Sequence, residues 1–175
     1  MQFKPTTNAF GTATFSYNVV DSGGTANGGI DTSAPQAFII TVIGVAPNAE
    51  SYVWNGGIGG NWNDSTQWTP AGVPGFHDRA TIATGRVVLT NNVSVRSLVL
   101  SGADLDGSGS LTVRSNMTWS AGVLRGAGVT TIAPGATLTV SGASDKDLRR
   151  RLDSYGTVAW TAGRILGHDI PTINN

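Results

Sequence analysis

The chain has 175 residues, with 11 basic side chains balanced by 11 acidic ones and only 13% charged residues. So sparse and neutral a charge set excludes a counterion-release footprint for DNA or RNA, and no apolar run reaches the length of a transmembrane helix. The lack of Cys excludes disulfides and thiolate metal sites, while 24 Gly set among Thr, Ser and Asn punctuate short apolar runs as in a β-rich protein.

In chain order, the start MQFKPTTNAFG has neither the basic n-region nor the apolar h-region of a signal peptide. Residues 10–20 alternate with Phe15, Tyr17 and Val19 on one face, and AFIITV at 37–42 makes a second apolar strand. A Gly-rich turn bracketed by Asp21 and Asp31 joins them. The set Phe15, Tyr17, Val19, Asp21, Gly23, Gly24 and Ile40 to Val42 resembles the last two strands of cadherin-like or immunoglobulin-like repeats in large bacterial surface proteins. Because the likeness covers less than half of such a repeat, residues 1–42 are expected to form an incomplete Ig-like β-hairpin, marginal alone in water. The aperiodic stretch 43–51, with Gly44 and Pro47, reads as a linker.

Residues 52–82 hold the most specific pattern in the chain. Trp54, Trp62 and Trp68 are spaced by Gly and Asn, and Gly72, Pro74, Gly75 and Asp78 follow. This arrangement resembles the module that opens the β-helical passenger regions of autotransporter-like and adhesin-like exported bacterial proteins. Exposed indoles in a row would make a carbohydrate platform. The competing reading, favoured here, is that the three Trp cap the open end of a solenoid, where strand edges and apolar interior would otherwise meet water.

From residue 80 the chain yields short strands at 80–82, 86–90, 93–101 and 110–113, then the stretch Leu111 to Gly142, broken every six to eight residues by Gly, Asn or Pro. Within it Leu111, Val113, Met117, Trp119, Val123, Ile132, Leu138 and Val140 sit in alternating segments with one buried face. MTWSAGVLRG at 117–126 returns as VAWTAGRILG at 158–167, a shift of 41 residues from Trp119 to Trp160. Repetition of this kind means stacked copies of one unit. The predicted fold is therefore all-β: a right-handed parallel β-helix, or β-solenoid, over 52–175, its interior filled by Leu98, Leu100, Leu111, Val113, Leu138 and Val140. Residues 145–155, DKDLRRRLDSY, fit a short helix or a bulged rung equally well, and the chain is expected to stop in mid-repeat.

Candidate chemistry is thin. Asp104 and Asp106 precede a Gly turn and could hold calcium, yet the spacing fits neither an EF-hand nor a Gly-Asp nonapeptide repeat. Asp21 and Asp31 are a weaker version of the same idea. The stretch 111–142 has no Asp, Glu or His, so a catalytic face has almost nothing to be made from. His77-Asp78 and His168-Asp169 are adjacent pairs, which strands send to opposite faces. The expectation is a non-enzymatic structural or adhesive piece of a secreted or surface-displayed bacterial protein. Its partners would be surface glycans and further domains of the same polypeptide, with no cofactor beyond a possible calcium, no nucleic acid and no membrane insertion. A polysaccharide-binding module and a fragment of a β-helical lyase or hydrolase are the alternatives.

Overall fold

The computed structural model describes residues 11–42, 49–169 and 171–175, and the chain divides into two compact units, up to Pro47 and from Asn48 onward. Most of the expected linker, residues 43–48, lies outside the described residues. Its end does not behave as a linker: the Glu50 N–H donates to an Asp78 carboxylate oxygen at 3.0 Å, and Ser51 already belongs to a strand.

In the first unit β1 (Gly11–Tyr17) pairs antiparallel with β2 (Gln36–Val42), Phe15 opposite Phe38. Asp21 accepts the Gly23 N–H at 2.7 Å, so its carboxylate shapes the turn. Tyr17, Phe38 and Ile39 remain exposed, as expected of a two-stranded sheet with one layer and no core of its own.

The second unit is a parallel β-solenoid. Its strands are β3 (Ser51–Trp54), β4 (Ile58–Asn61), β5 (Trp68–Thr69), β6 (Arg79–Ile82), β7 (Arg86–Leu89), β8 (Val93–Gly107), β9 (Leu111–Leu124), β10 (Val129–Ile132), β11 (Thr137–Val140), β12 (Lys146–Leu148), β13 (Arg151–Ser154), β14 (Thr157–Trp160), β15 (Ile165–Gly167) and β16 (Ile173–Asn174). They form three columns. In the first, β3, β6, the middle of β8, the middle of β9, β11 and β14 stack in that order. The second runs β4, β7, the ends of β8 and β9, β12 and β15. The third runs from the starts of β8 and β9 through β10 and β13 to β16.

Each column sends alternate residues inward, and successive rungs stack like on like. Ile82, Leu98, Leu100, Met117, Trp119, Leu138 and Val140 fill the side facing the first column; Val87, Leu89, Leu105, Leu124 and Leu148 face the second; Val95, Leu111, Val113 and Ile132 face the third. All six interior residues expected from sequence are buried. Val123 is not: it stands outward between Asp104 and Asp147, because the corner at residues 120–122 changes the phase and turns Leu124 inward. The 41-residue echo spans two rungs rather than one, since Val140 lies between Trp119 and Trp160 in the same row. The segment 145–155 is no helix; β12 and β13 meet there at a corner, as part of a rung.

That corner holds a buried charge. Arg150 is buried at the bend, and its guanidinium donates to the carbonyls of Gly128 at 2.9 Å, Arg125 at 3.2 Å and Gly109 at 2.8 Å. It can lie across the rungs only because Gly128 has no side chain: a Cβ there would overlap the guanidinium and the Gly109 carbonyl. Burial lowers the Arg150 pKa to about 10, so the charge persists at neutral pH. Lys146, fully buried, likewise spends its ammonium on the carbonyls of Gly142, Ser144 and Ala162.

Candidate functional site

The tryptophan cluster sits at the N-terminal end of the stack, inside it. Trp54, Trp62 and Trp68 are all buried, and Trp68 meets the other two edge to face, with ring centroids 5.0 Å from Trp54 and 4.9 Å from Trp62. The Trp62 indole N–H donates to the Pro74 carbonyl and that of Trp68 to the Trp62 carbonyl. Gly56 and Gly60 are required by close approach, since a Cβ at either would run into the Trp54 ring. The carbohydrate platform at Trp54, Trp62 and Trp68, the less favoured of the two sequence readings, is therefore corrected. Stacking on sugar needs an open indole face, and here the indoles pack on one another. Strand β5 returns antiparallel along β3, placing Trp68 opposite Trp54 and covering the edge of the first rung.

Asp78 closes the cap. One carboxylate oxygen accepts the Gly75 N–H at 2.8 Å and the other the Glu50 N–H, so the motif's last acid is a structural acceptor and has no free oxygen to assist His77.

On the outer side of the second column the structure does bring Asp104 and Asp106 together. The cation between them is Arg125, with a terminal nitrogen 2.6 Å from Asp104 and Nε 3.3 Å from Asp106, while Arg86 approaches Asp106 at 3.8 Å. Asp106 also accepts the Gly107 N–H. These contacts continue as a ladder. Arg149 bonds Asp147 and approaches Asp169, and His168 Nδ1 lies 2.7 Å from Asp147. His168 thus meets the carboxylate of the rung beneath, not its sequence neighbour Asp169. Hydrogen bonds from Arg149, and to a smaller extent His168, hold the Asp147 pKa below the usual carboxylate range despite partial burial. Among the described residues no group of three or more His, Cys, Asp or Glu is arranged to hold a metal.

A different site is legible only in three dimensions. A surface groove of about 320 Å³ lies on the outer side of the first column, lined by Glu50, Ser51, His77, Arg79, Arg96, Ser97 and Asn116 together with Ala49. Ser51, Arg79, Ser97 and Asn116 are consecutive members of one outward row. Arg96 stands at the neighbouring corner, its backbone N–H fixed to the Asp78 carbonyl at 2.9 Å. On the next rung's corner Arg114 lies 3.9 Å over the Phe76 ring, which in turn meets His77 edge to face. The sequence alone dismisses His77-Asp78 as an adjacent pair that strands send to opposite faces and gives Arg79, Arg96 and Arg114 no role. The signal that joins them is the rung period of 18 to 19 residues between paired positions, which places residues far apart in sequence side by side.

Set against known protein families, curated proteins and solved structures, the chain matches none. The functional reading accordingly rests on the geometry of the molecule itself.

Proposed function

We propose that the chain is a structural, non-catalytic module of a large exported bacterial protein, its solenoid serving as a stalk that presents outward faces to extracellular partners. The supporting observation is the unbroken stack: six strands in one column over a largely apolar interior, with buried indoles at one end. Rungs joined by parallel ladders transmit load along the axis, and a solenoid's outer faces supply extended binding surfaces. The hairpin at 11–42 is read as the trailing pair of strands of an Ig-like repeat that spaces the stalk. The carboxylates that could serve chemistry are committed elsewhere: Asp78 to backbone N–H groups, and Asp104, Asp106 and Asp147 to arginines.

The purified chain, incubated with a panel of insoluble polysaccharides with and without calcium, is expected to release no sugar into the supernatant. Release of soluble sugar, lost on heat denaturation, would overturn the reading in favour of a lyase or hydrolase. Antibody raised against the solenoid is expected to label intact cells or the medium of the source bacterium. Labelling confined to lysates would refute the exported stalk.

A further inference from the structure

The nine arginines of the chain are divided unevenly over the solenoid. Five are paired with carboxylates: Arg86 with Asp106, Arg125 with Asp104 and Asp106, Arg149 with Asp147, Arg151 with Asp153 and Arg164 with Asp145. Arg150 is enclosed by carbonyls. The remaining three, Arg79, Arg96 and Arg114, have no carboxylate partner among the described residues, and all three lie at or beside the groove on the first column. Arg96 and Arg114 occupy the same corner of successive rungs, between the pairs Val95–Val113 and Ser97–Asn116, their backbones about one strand spacing, ~4.8 Å, apart. Arg114 lays its guanidinium on the Phe76 ring, and the corner carries two like charges with no carboxylate partner among the described residues, a field that favours a ligand anion.

We propose that this groove binds an anionic saccharide, a sugar unit bearing a carboxylate or sulfate. The guanidinium groups of Arg79 and Arg96 present paired N–H donors that match planar or tetrahedral oxyanions in bidentate fashion. Glu50 is the one carboxylate lining the groove, and a second, Asp78, lies beneath it with its oxygens accepting backbone N–H groups, so three arginines stand against two carboxylates and the balance at the groove is positive. The remaining lining is suited to hydroxyls: Ser51 and Ser97 both donate and accept, Asn116 offers a carbonyl oxygen, and His77 adds a ring nitrogen. The volume falls at the small end of ligand pockets, about 300–1,000 Å³, enough for one or two sugar rings and too small for a duplex groove. Arg114 stacked on Phe76 holds the basic corner without entering the groove, and its charge adds to the attraction at short range. The inference stands on the groove alone and does not depend on the stalk reading.

The test is isothermal titration of the whole chain with oligogalacturonate, with a sulfated galactan oligomer, with a neutral galactan oligomer and with inorganic phosphate. An acidic oligomer is expected to bind, more weakly as salt is added, with the neutral oligomer silent. Whichever acidic oligomer binds more tightly identifies the anionic group. Replacing both arginines, Arg79→Gln with Arg96→Gln, is expected to weaken that binding at least about tenfold, whereas Arg164→Gln, on an exposed arginine paired with Asp145, leaves it within about twofold. Circular dichroism and melting of the double variant should match the parent, because both side chains are exposed. No binding of either acidic oligomer, equal binding of the neutral one, unchanged affinity in the double variant, or phosphate alone binding as tightly as the saccharide would each overturn the proposal.

Discussion

The two ends of the solenoid carry the same side chain and treat it in opposite ways. At the N-terminal end Trp62 and Trp68 are 0% and 2% exposed, packed edge to face, with Trp62 tied to the Pro74 carbonyl; at the C-terminal end Trp160 is 54% exposed. Trp119 sharpens the contrast, because it shares a row with Trp160, two rungs away, and is fully buried. What differs is the next layer. β14, β15 and β16 each pair with one earlier strand and, among the described residues, have no partner on the far side, and Val158, Trp160 and Ile173 there are exposed. The cap end has β5 and three mutually packed indoles in that place. Burial in a stacked fold is thus set by the neighbour rung and not by the residue's own pattern.

The strongest way to break the contrast is at the cap. Trp62→Ala removes a fully buried indole from contact with Trp68, and a large-to-small change at such a site costs about 3–5 kcal/mol. Urea unfolding followed by circular dichroism should show that loss; a change below about 1 kcal/mol would mean that the cap contributes little. Next in size is the corner that clamps the rungs. Arg150→Met deprives the carbonyls of Gly109, Gly128 and Arg125 of their donor, and unpaired buried acceptors cost about 1–3 kcal/mol each before relaxation and water entry. A net destabilisation of about 2 kcal/mol is expected, with amide exchange accelerated at residues 107–128 more than in the cap. Equal acceleration throughout would show that the clamp is not local.

These two sites divide what the sequence discloses from what it hides. The solenoid, its interior residues and the capping role of Trp54, Trp62 and Trp68 follow from local pattern: alternation, Gly spacing and the need to cover an end. The Arg150 clamp, the ladder from Arg86 to Asp169 and the Arg79–Arg96 groove do not, because each is assembled from residues one rung apart. The rung length itself varies, with Ala80 paired to Leu98 but Leu111 to Thr130 and Thr130 to Leu152. An uneven period hides which Asp meets which Arg. So the acids at 104 and 106 raise the idea of calcium without fitting its motifs, and their cation here is an arginine from the following rung. The 41-residue echo misled in the same way, catching the double period and passing over the single one.

A smaller effect distinguishes the ends by pH. Asp145, Asp147 and Asp153, all in the last two rungs, have pKa values held low chiefly by hydrogen bonds from Arg164, Arg149 and Arg151 respectively. A carboxylate with a folded pKa below its unfolded value adds stability that is full above about pH 4 and is lost as the pH falls through the folded value. At the cap end only Asp64, hydrogen-bonded by Thr66, is lowered in the same way, so with three such carboxylates against one, acid should loosen the C-terminal rungs before the cap. Asp147→Asn is expected to cost about 0.5–1 kcal/mol at pH 7, the scale of a partly exposed ion pair, and close to nothing at pH 2. A variant that loses as much at pH 2 as at pH 7 would show that Asp147 acts by packing and not by charge.

The comparison most discriminating between the ends is between two indoles of one row. Five Trp occur in the chain, and four of them are buried, leaving Trp160 as the exposed indole. Acrylamide quenching of the folded protein should thus resolve one accessible emitter above an inaccessible background, and Trp160→Phe should remove the accessible component. Because about half of its surface stays in water, Trp160→Ala should cost well below a buried indole, about 1–2 kcal/mol, from loss of the ring's packing along the row and of its N–H bond to the Gly163 carbonyl. The parallel change Trp119→Ala, in the same row beneath a covering rung, should cost about 3–5 kcal/mol. If the two variants lose equal stability, or if Trp160 resists quenching, then something covers the last rung in solution. The contrast between the ends would then lie in what docks there, and the apolar row of Val158, Trp160 and Ile173 would be its footprint.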